Sequence, residues 1–186
     1  DATTLPIGIN VLRNDAEAAV SVAAAVDAAF VRVNVHTGAR VTDQGIVEGR
    51  AHETLRLRER LGVDVGIFAD TDVKHSAPLT PEGYSAESFA DATERGLADA
   101  VVASGSGTGA AIDRAALEAV VDERERHGLE TPVFVGSGVR PETIGDLLAL
   151  ADGVIVGTAL KAAGETTAPV DEERVATLVS RADDCR

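Results

Sequence analysis

Apolar runs of strand length alternate with stretches of helical periodicity six times along the 186 residues. That is the pattern of βα units, in which helices cover a mostly parallel sheet. The strand-like runs fall at residues 6–12, 29–36, 64–73, 99–104, 132–137 and 153–157. Helices are predicted from an Asp15 cap to about Ala28, over residues 46–60, and over residues 86–97 after the turn residues Pro81 and Gly83. Three more follow, from an Asp113 cap to about His127, from Pro141 to about Leu150, and from Asp171 to about Ala182. Connections are short except at residues 37–45 and 74–85, and long loops after strands are where α/β folds keep their sites.

Strand phase separates a barrel from an open sheet. In the second run Val31, Val33 and Val35 alternate with Arg32, Asn34 and His36, and the third places Asp70, Asp72 and Lys74 opposite Ile67, Ala69, Thr71 and Val73. An open sheet covered on both faces would have to bury Arg32 and Asn34 among helices at considerable cost. In a barrel the valines meet the outer helices and the polar side chains enter the lumen, where Arg32 and Asp70 can neutralise each other. The reading is therefore α/β, a TIM (β/α)8-type barrel, with residues 1–186 forming a single partial domain of about six βα units.

The fifth and sixth runs end in Gly136, Ser137 and Gly138 and in Gly157 and Thr158. Glycine at a strand end lets backbone N–H groups approach an anion with no Cβ in the way. In (β/α)8 barrels the loops after the last two strands are the usual phosphate site, so these five residues are the candidate phosphate cradle. The stretch from Ser104 to Gly109 is a third run of small hydroxyl and glycine residues and reads as a wall of the same pocket; it lacks the Gly-Lys-Ser of a Walker motif.

Composition narrows the partners. Net charge is −14 and fifteen of the seventeen basic residues are arginine, while the acids are dispersed. That describes a solvated acidic surface of halophile type and excludes the basic stripe that nucleic-acid binding requires. Aromatics make up only 3 % of the chain, so the core is built from Val, Ile, Leu and Ala. Cys185 is the one cysteine and can form no internal disulfide, in keeping with a reducing, cytoplasmic setting. No apolar span of membrane length and no signal peptide is present, which leaves only peripheral membrane contact. Neither a metal nor another cofactor is expected. The chain holds no methionine and opens on Asp1, so its natural start is expected to be missing.

Both lysines fall where a barrel puts function, Lys74 after the third run and Lys161 after the last. Unlike arginine, lysine can form a Schiff base or release its proton; Lys74 is either a covalent or electrophilic partner, or it only neutralises a phosphate or pairs with Asp70. His75 and His36 are general acid–base candidates or hydrogen-bonded structural histidines. Asp43, in the loop 37–45, is either the cap of the following helix or the carboxylate of a mobile lid. Glu48 and His52, one helical turn apart, read with Arg56 as a solvated ion-pair face. Asn10, Asn34, Asp70, Lys74, His75 and Asp43 are the candidate reacting end.

Residues 8–15 (Gly-Ile-Asn-Val-Leu-Arg-Asn-Asp), residues 31–35, the Thr42-Asp43-Gln44-Gly45 turn, Val73-Lys74-His75 and the two glycine loops together resemble the BtpA/SgcQ family over nearly the whole chain. The resemblance implies a barrel of the ribulose-phosphate-binding kind, of which these strands are the last six of eight, and, from the family's name, a role in biogenesis of a photosynthetic membrane complex. A barrel short of two strands exposes two sheet edges, so a further segment, a partner or a homo-oligomer is expected to cover them. Asp72 stands where the family pattern has a histidine, and no metal or acid–base role carries over to that position. Two functions follow. One is an isomerase- or lyase-type enzyme acting beside a carbonyl of a phosphorylated small molecule, with Lys74 as electrophile and Asp70 or His75 as base. The other is a non-catalytic assembly or stability factor.

Overall fold

The computed structural model describes residues 3–43, 45–73, 76–79, 88–105 and 112–185. Lys74, His75 and the loop residues after Gly105 therefore lie outside the described residues. Among these, six strands form one sheet in the order β1 (Gly8–Ile9), β2 (Phe30–Val33), β5 (Gly66–Asp70), β7 (Ala100–Ala103), β8 (Val133–Val135) and β9 (Gly153–Val154). Each βα crossover returns the chain parallel to its neighbour, as the pairings β1–β2, β2–β5 and β8–β9 record. The observed strands sit inside the six predicted runs. The chain divides into two compact units, Asp1–Val101 and Val102–Arg186, described in turn.

In the first unit α1 (Ala16–Val26) and α2 (Ala51–Leu61) pack on β2 and β5. Asp15 caps α1 by accepting from the Ala18 amide, and Asp27 closes it in the left-handed conformation. Strand phase holds: Val31, Val33, Ile67 and Ala69 are buried with Ala19, Val20, Ala23 and Leu57 under the helices, each large aliphatic contributing about 1.5–3 kcal/mol. The opposite face carries Phe30, Arg32, Phe68 and Asp70, only partly covered. At the amino-terminal end of that face the Phe30 and Phe68 rings stack with centroids 4.4 Å apart. Phe30 lies so close over Gly8 that a Cβ there would fall 2.1 Å from the ring; glycine is required by packing.

The segment after β2 departs from expectation. Residues 37–45 are not an open loop and residues 46–50 are not helical: β3 (Ala39–Thr42) and β4 (Gly45–Glu48) form a hairpin, and β6 (Ser76–Pro78) adds to β3, giving a second, antiparallel sheet in the order β4–β3–β6. Val41, Thr42, Ile46 and Val47 are β-branched and favour the pleated state over a helix turn, while Gly45 supplies the positive φ of 106° that the turn needs. Glu48 consequently belongs to a strand and shares no helix face with His52. The chain then crosses His36 and Thr37 at Gly49, where a Cβ would sit 2.6 Å from their backbone, and enters α2. The predicted helix 86–97 is α3 (Ser88–Ala90) running into a π-helical turn, Asp91–Arg95.

In the second unit α4 (Arg114–Arg126), α5 (Ile144–Leu148) and α6 (Glu172–Asp183) accompany β8 and β9. Leu117, Val121, Val133, Val135, Ile144 and Leu178 are its buried aliphatics. Asp171 caps α6 through the amides of Glu173 and Arg174. Asp113 holds the cap position of α4 with no side-chain hydrogen bond, and α5 begins at Ile144, three residues later than Pro141, after turns. Phe134 covers Gly153, where a Cβ would lie 2.5 Å from the ring, as Phe30 covers Gly8 in the first unit.

One device recurs at the amino-terminal ends of the strands. Asp99, just before β7, accepts from the Ile67 amide at 2.8 Å and from Arg58 of α2 at 3.1 Å. Asp152, just before β9, accepts from the Val133 amide at 2.8 Å and from Arg124 of α4 at 2.9 Å. Each aspartate ties its strand to the neighbouring strand and to the helix that precedes that neighbour. Replacing either Asp99 or Asp152 by alanine is expected to lower stability by about 2 kcal/mol, since both acceptors serve a backbone donor and a cation. Asp122→Ala, at an exposed position of α4, should change it by less than about 0.5 kcal/mol. The comparison is read from urea midpoints.

Candidate functional site

At the carboxyl end of β1, β2 and β5, on the face that carries Phe30 and Phe68, the first unit assembles four polar side chains. Asp70 accepts from Arg32 Nε at 2.8 Å and Nη2 at 3.0 Å, and from Asn34 Nδ2 at 2.8 Å. Its side chain is 3 % exposed and that of Arg32 22 %, so the sequence-derived pairing exists as a bidentate, largely desolvated ion pair. Asn10 Nδ2 donates to the Arg32 carbonyl at 2.8 Å and reaches Asn34 Oδ1 at 3.4 Å. Three candidate residues, Asn10, Asn34 and Asp70, are thereby brought into one network.

Asp43 is placed elsewhere. It lies in the β3–β4 turn, neither capping a helix nor riding on an open loop, and pairs with Arg13 at 2.6 Å. Arg40 of β3 pairs with Asp72 and donates to Ser76 Oγ at 2.6 Å. Two ion pairs thus pin the hairpin to the segments that follow β1 and β5. Asn14, left-handed at φ 53°, holds Val35 as a strand partner would, accepting from its amide at 2.6 Å and donating to its carbonyl at 2.9 Å.

His36 does not climb to an open strand end. It is 2 % exposed, and Nε2 bonds the Gly96 carbonyl at 2.7 Å, which makes Nε2 the protonated nitrogen. Gly96 allows this approach, since a Cβ there would fall 2.9 Å from the imidazole. Burial pushes the imidazole below its ordinary value of 6.5, the Gly96 hydrogen bond opposing; Arg58 also lowers it and Asp99 raises it.

In the second unit the strand ends carry small residues. Ser137 Oγ accepts from the Gly105 amide at 3.0 Å, Gly138 adopts the positive φ of 70° that favours glycine, and a Cβ at Gly157 would meet no atom within 4 Å. Thr158 Oγ1 lies 3.3 Å from Thr166 Oγ1. Ser104, not singled out individually from the sequence, is 8 % exposed and its hydroxyl has no hydrogen-bond partner among the described residues. Only its place at the end of a buried strand signals it. Among the described residues no group of His, Cys, Asp and Glu converges as a metal site.

A depression of about 630 Å³ lies elsewhere in the first unit, lined by Val33, Val35 and Leu57 on the helix side of the sheet. Its arginines (Arg13, Arg50, Arg56, Arg60) are matched by Asp15, Glu17, Glu48 and Glu53, so it carries no excess charge, and Asn10, Asn34 and Asp70 are not part of it.

Among known proteins, the BtpA family model matches residues 1–184. The chain is 46 % identical over 175 residues to the photosystem I biogenesis protein BtpA of Synechocystis, covering 94 % of this chain and 59 % of that protein. It is 45 % identical over 188 residues to an uncharacterized protein of Thermococcus kodakarensis, covering 100 % of this chain and 68 % of that one. The chain therefore spans roughly two-thirds of the length of these relatives. In three dimensions it resembles thiamine phosphate pyrophosphorylase of Pyrococcus furiosus, with TM-score 0.59 and 18 % identity over 97 % of this chain and 68 % of that one. It also resembles orotidine 5'-phosphate decarboxylase of Pyrococcus horikoshii, with TM-score 0.58 and 18 % identity over 96 % and 74 %. At these identities the likeness shows the fold alone, and the fold is that of a TIM barrel, in part. The chain belongs to the BtpA family.

The site geometry carries two expectations. Asp70→Leu strands the Arg32 guanidinium and should lower stability by about 3 kcal/mol, and the double change Arg32→Met, Asp70→Leu should recover most of that loss in urea unfolding. The folded chain holds His36 neutral, whereas the unfolded chain takes up its proton near pH 6.5. Stability should accordingly fall as pH drops below that value toward the lower folded-state pKa. His36→Gln should flatten this slope below about pH 6.5, measured as melting temperature against pH.

Proposed function

We propose that this member of the BtpA family binds a phosphorylated small molecule at the carboxyl ends of its parallel strands, with Gly136, Ser137, Gly138, Gly157 and Thr158 receiving the phosphate. The observation that carries the reading is the second unit's set of strand ends. Ser104 presents a buried hydroxyl with no partner among the described residues, the Gly105 amide is gathered by Ser137, and the strand ends beyond are glycine and hydroxyl residues. Buried polar groups are as a rule satisfied, and an oxyanion supplies what the Ser104 hydroxyl lacks. The likeness in fold to thiamine phosphate pyrophosphorylase and orotidine 5'-phosphate decarboxylase, both named for phosphate compounds, supports the same reading, since barrels of this kind keep phosphate sites after their late strands.

The chemistry we assign is proton transfer or carbon–carbon chemistry beside a carbonyl, of isomerase or lyase type. Asp70 is engaged by Arg32 and Asn34 and acts by orienting them. Lys74 and His75, four and five residues beyond Asp70 in the sequence, are the proposed electrophile and acid–base group. An assembly-factor role is the second reading, and the name of the Synechocystis relative favours it; it requires that surface residues, and not the strand ends, carry the activity.

A thermal-shift series against inorganic phosphate and sugar phosphates separates the two. A bound ligand at about 100 times its Kd adds about 2.7 kcal/mol of stability. Gly157→Asp, at a position with open space for a side chain, should leave the unliganded melt close to wild type and abolish the phosphate-dependent shift. A flat series with a cooperative melt supports the assembly reading.

A further inference from the structure

We infer that Arg174 is a positioning residue of the phosphate site: from the first turn of α6 it fixes the chain just beyond β9 and so aims the backbone of Gly157 and Thr158. This role rests on the phosphate reading of those strand ends, and every contact that carries it lies within the second unit.

The chain between β9 and α6 is folded on itself. Thr158–Leu160 is a 3-10 turn, in which the Leu160 amide donates to the Gly157 carbonyl at 3.0 Å and the Lys161 amide to the Thr158 carbonyl at 3.1 Å. Lys161 and Val170 then meet in an antiparallel bridge. Beside it the Ala162 amide reaches the Pro169 carbonyl at 2.9 Å, and the Asp171 amide the Leu160 carbonyl at 2.8 Å. Within this loop Ala163 stands in the left-handed region at φ 54°, next to Gly164 at φ 71°. An alanine is strained there, and such a residue persists only where its surroundings hold the backbone firmly.

Arg174 adds a tether from the helix. Its Nε donates to the Ala159 carbonyl at 2.8 Å, and its Nη2 lies against Gly164, 3.7 Å from where a Cβ would be. One guanidinium therefore touches both the 3-10 turn and the left-handed pair. Other arginines of this unit, Arg114 and Arg124, each hold an acid, Glu118 and Asp152, whereas the Arg174 side chain bonds a backbone carbonyl. A cation in the first turn of a helix also opposes the helix dipole, which Glu172 and Glu173 suit. Helix stability thus does not call for an arginine at this place; the loop contact does.

The residues it fixes are those proposed to meet the oxyanion. Ala159 follows Thr158 directly, and Gly157 and Thr158 supply the carbonyls of the same hydrogen-bonded turn. Holding the Ala159 carbonyl therefore limits how the preceding N–H groups can rotate. Donors set in advance receive an anion without first having to order the loop.

The test measures Kd for inorganic phosphate by isothermal titration, and the Gly157 and Thr158 amide shifts by NMR, with wild type, Arg174→Met and Asp152→Ala. Asp152→Ala lowers stability from the amino-terminal ends of the strands and so separates positioning from general destabilisation. Arg174→Met should weaken phosphate binding roughly tenfold, the worth of one charge-assisted hydrogen bond, and move both amides in the free protein. Asp152→Ala should do neither. Binding by Arg174→Met within about twofold of wild type overturns this inference and leaves the phosphate reading standing. Equal weakening by Asp152→Ala also overturns it, since lost stability then suffices. If wild type binds no phosphate, the phosphate reading fails and the positioning role falls with it.

Discussion

The desolvated pair between Arg32 and Asp70 constrains the rest of the first unit. A carboxylate that is 3 % exposed must be matched in charge and in hydrogen-bonding directions, and only a guanidinium in bidentate contact plus a further donor does so. That requirement places β2 beside β5 with the polar phase of both strands on one face. It leaves the valine phase to the helices, and it directs Asn34 and through it Asn10. Function, on this account, is layered onto an electrostatic requirement that the fold must meet in any case.

The two ends of the strands differ in what they carry. At the amino-terminal ends Asp99 and Asp152 clamp strand to strand and strand to helix, each in its own unit and with the same partners in kind: one backbone amide and one helix arginine. At the carboxyl ends the residues are amides, hydroxyls and glycines. This division is the one expected of a βα barrel, whose stability is carried at one end and whose chemistry sits at the other. Arginine is used throughout for this purpose, since the five pairs that organise the described residues, at Arg13, Arg32, Arg40, Arg58 and Arg124, hold aspartates.

Much of this was legible in the sequence because alternation of period two survives in Val31-Arg32-Val33-Asn34 and fixes both the face and the pairing of Arg32 with Asp70. The glycine strand ends were legible for the same reason: their residue types restrict what the backbone there can do. The hairpin was not. Ile46 and Val47 fit a helical period when counted with the leucines of α2, and only their β-branching, together with Gly45, argues for strands; they pair with β3, and β6, which adds to the other edge of β3, is about thirty residues away. Strand phase does not reach His36, because beyond Val33 the chain bends and turns the imidazole inward to Gly96. The Ser104 hydroxyl, without a partner among the described residues, is a property of three-dimensional packing that a row of small residues does not reveal.

The central claim is that the glycine and hydroxyl strand ends of the second unit form an oxyanion site. Its most direct test is a 1H–15N NMR titration of the chain with inorganic phosphate, following the amides of Gly105, Gly136, Gly138 and Gly157. The account predicts that these amides shift together, saturably and with one Kd, while those around Arg56 and Arg60 stay in place. Shifts spread over exposed arginines, or none at the four glycines, would contradict it.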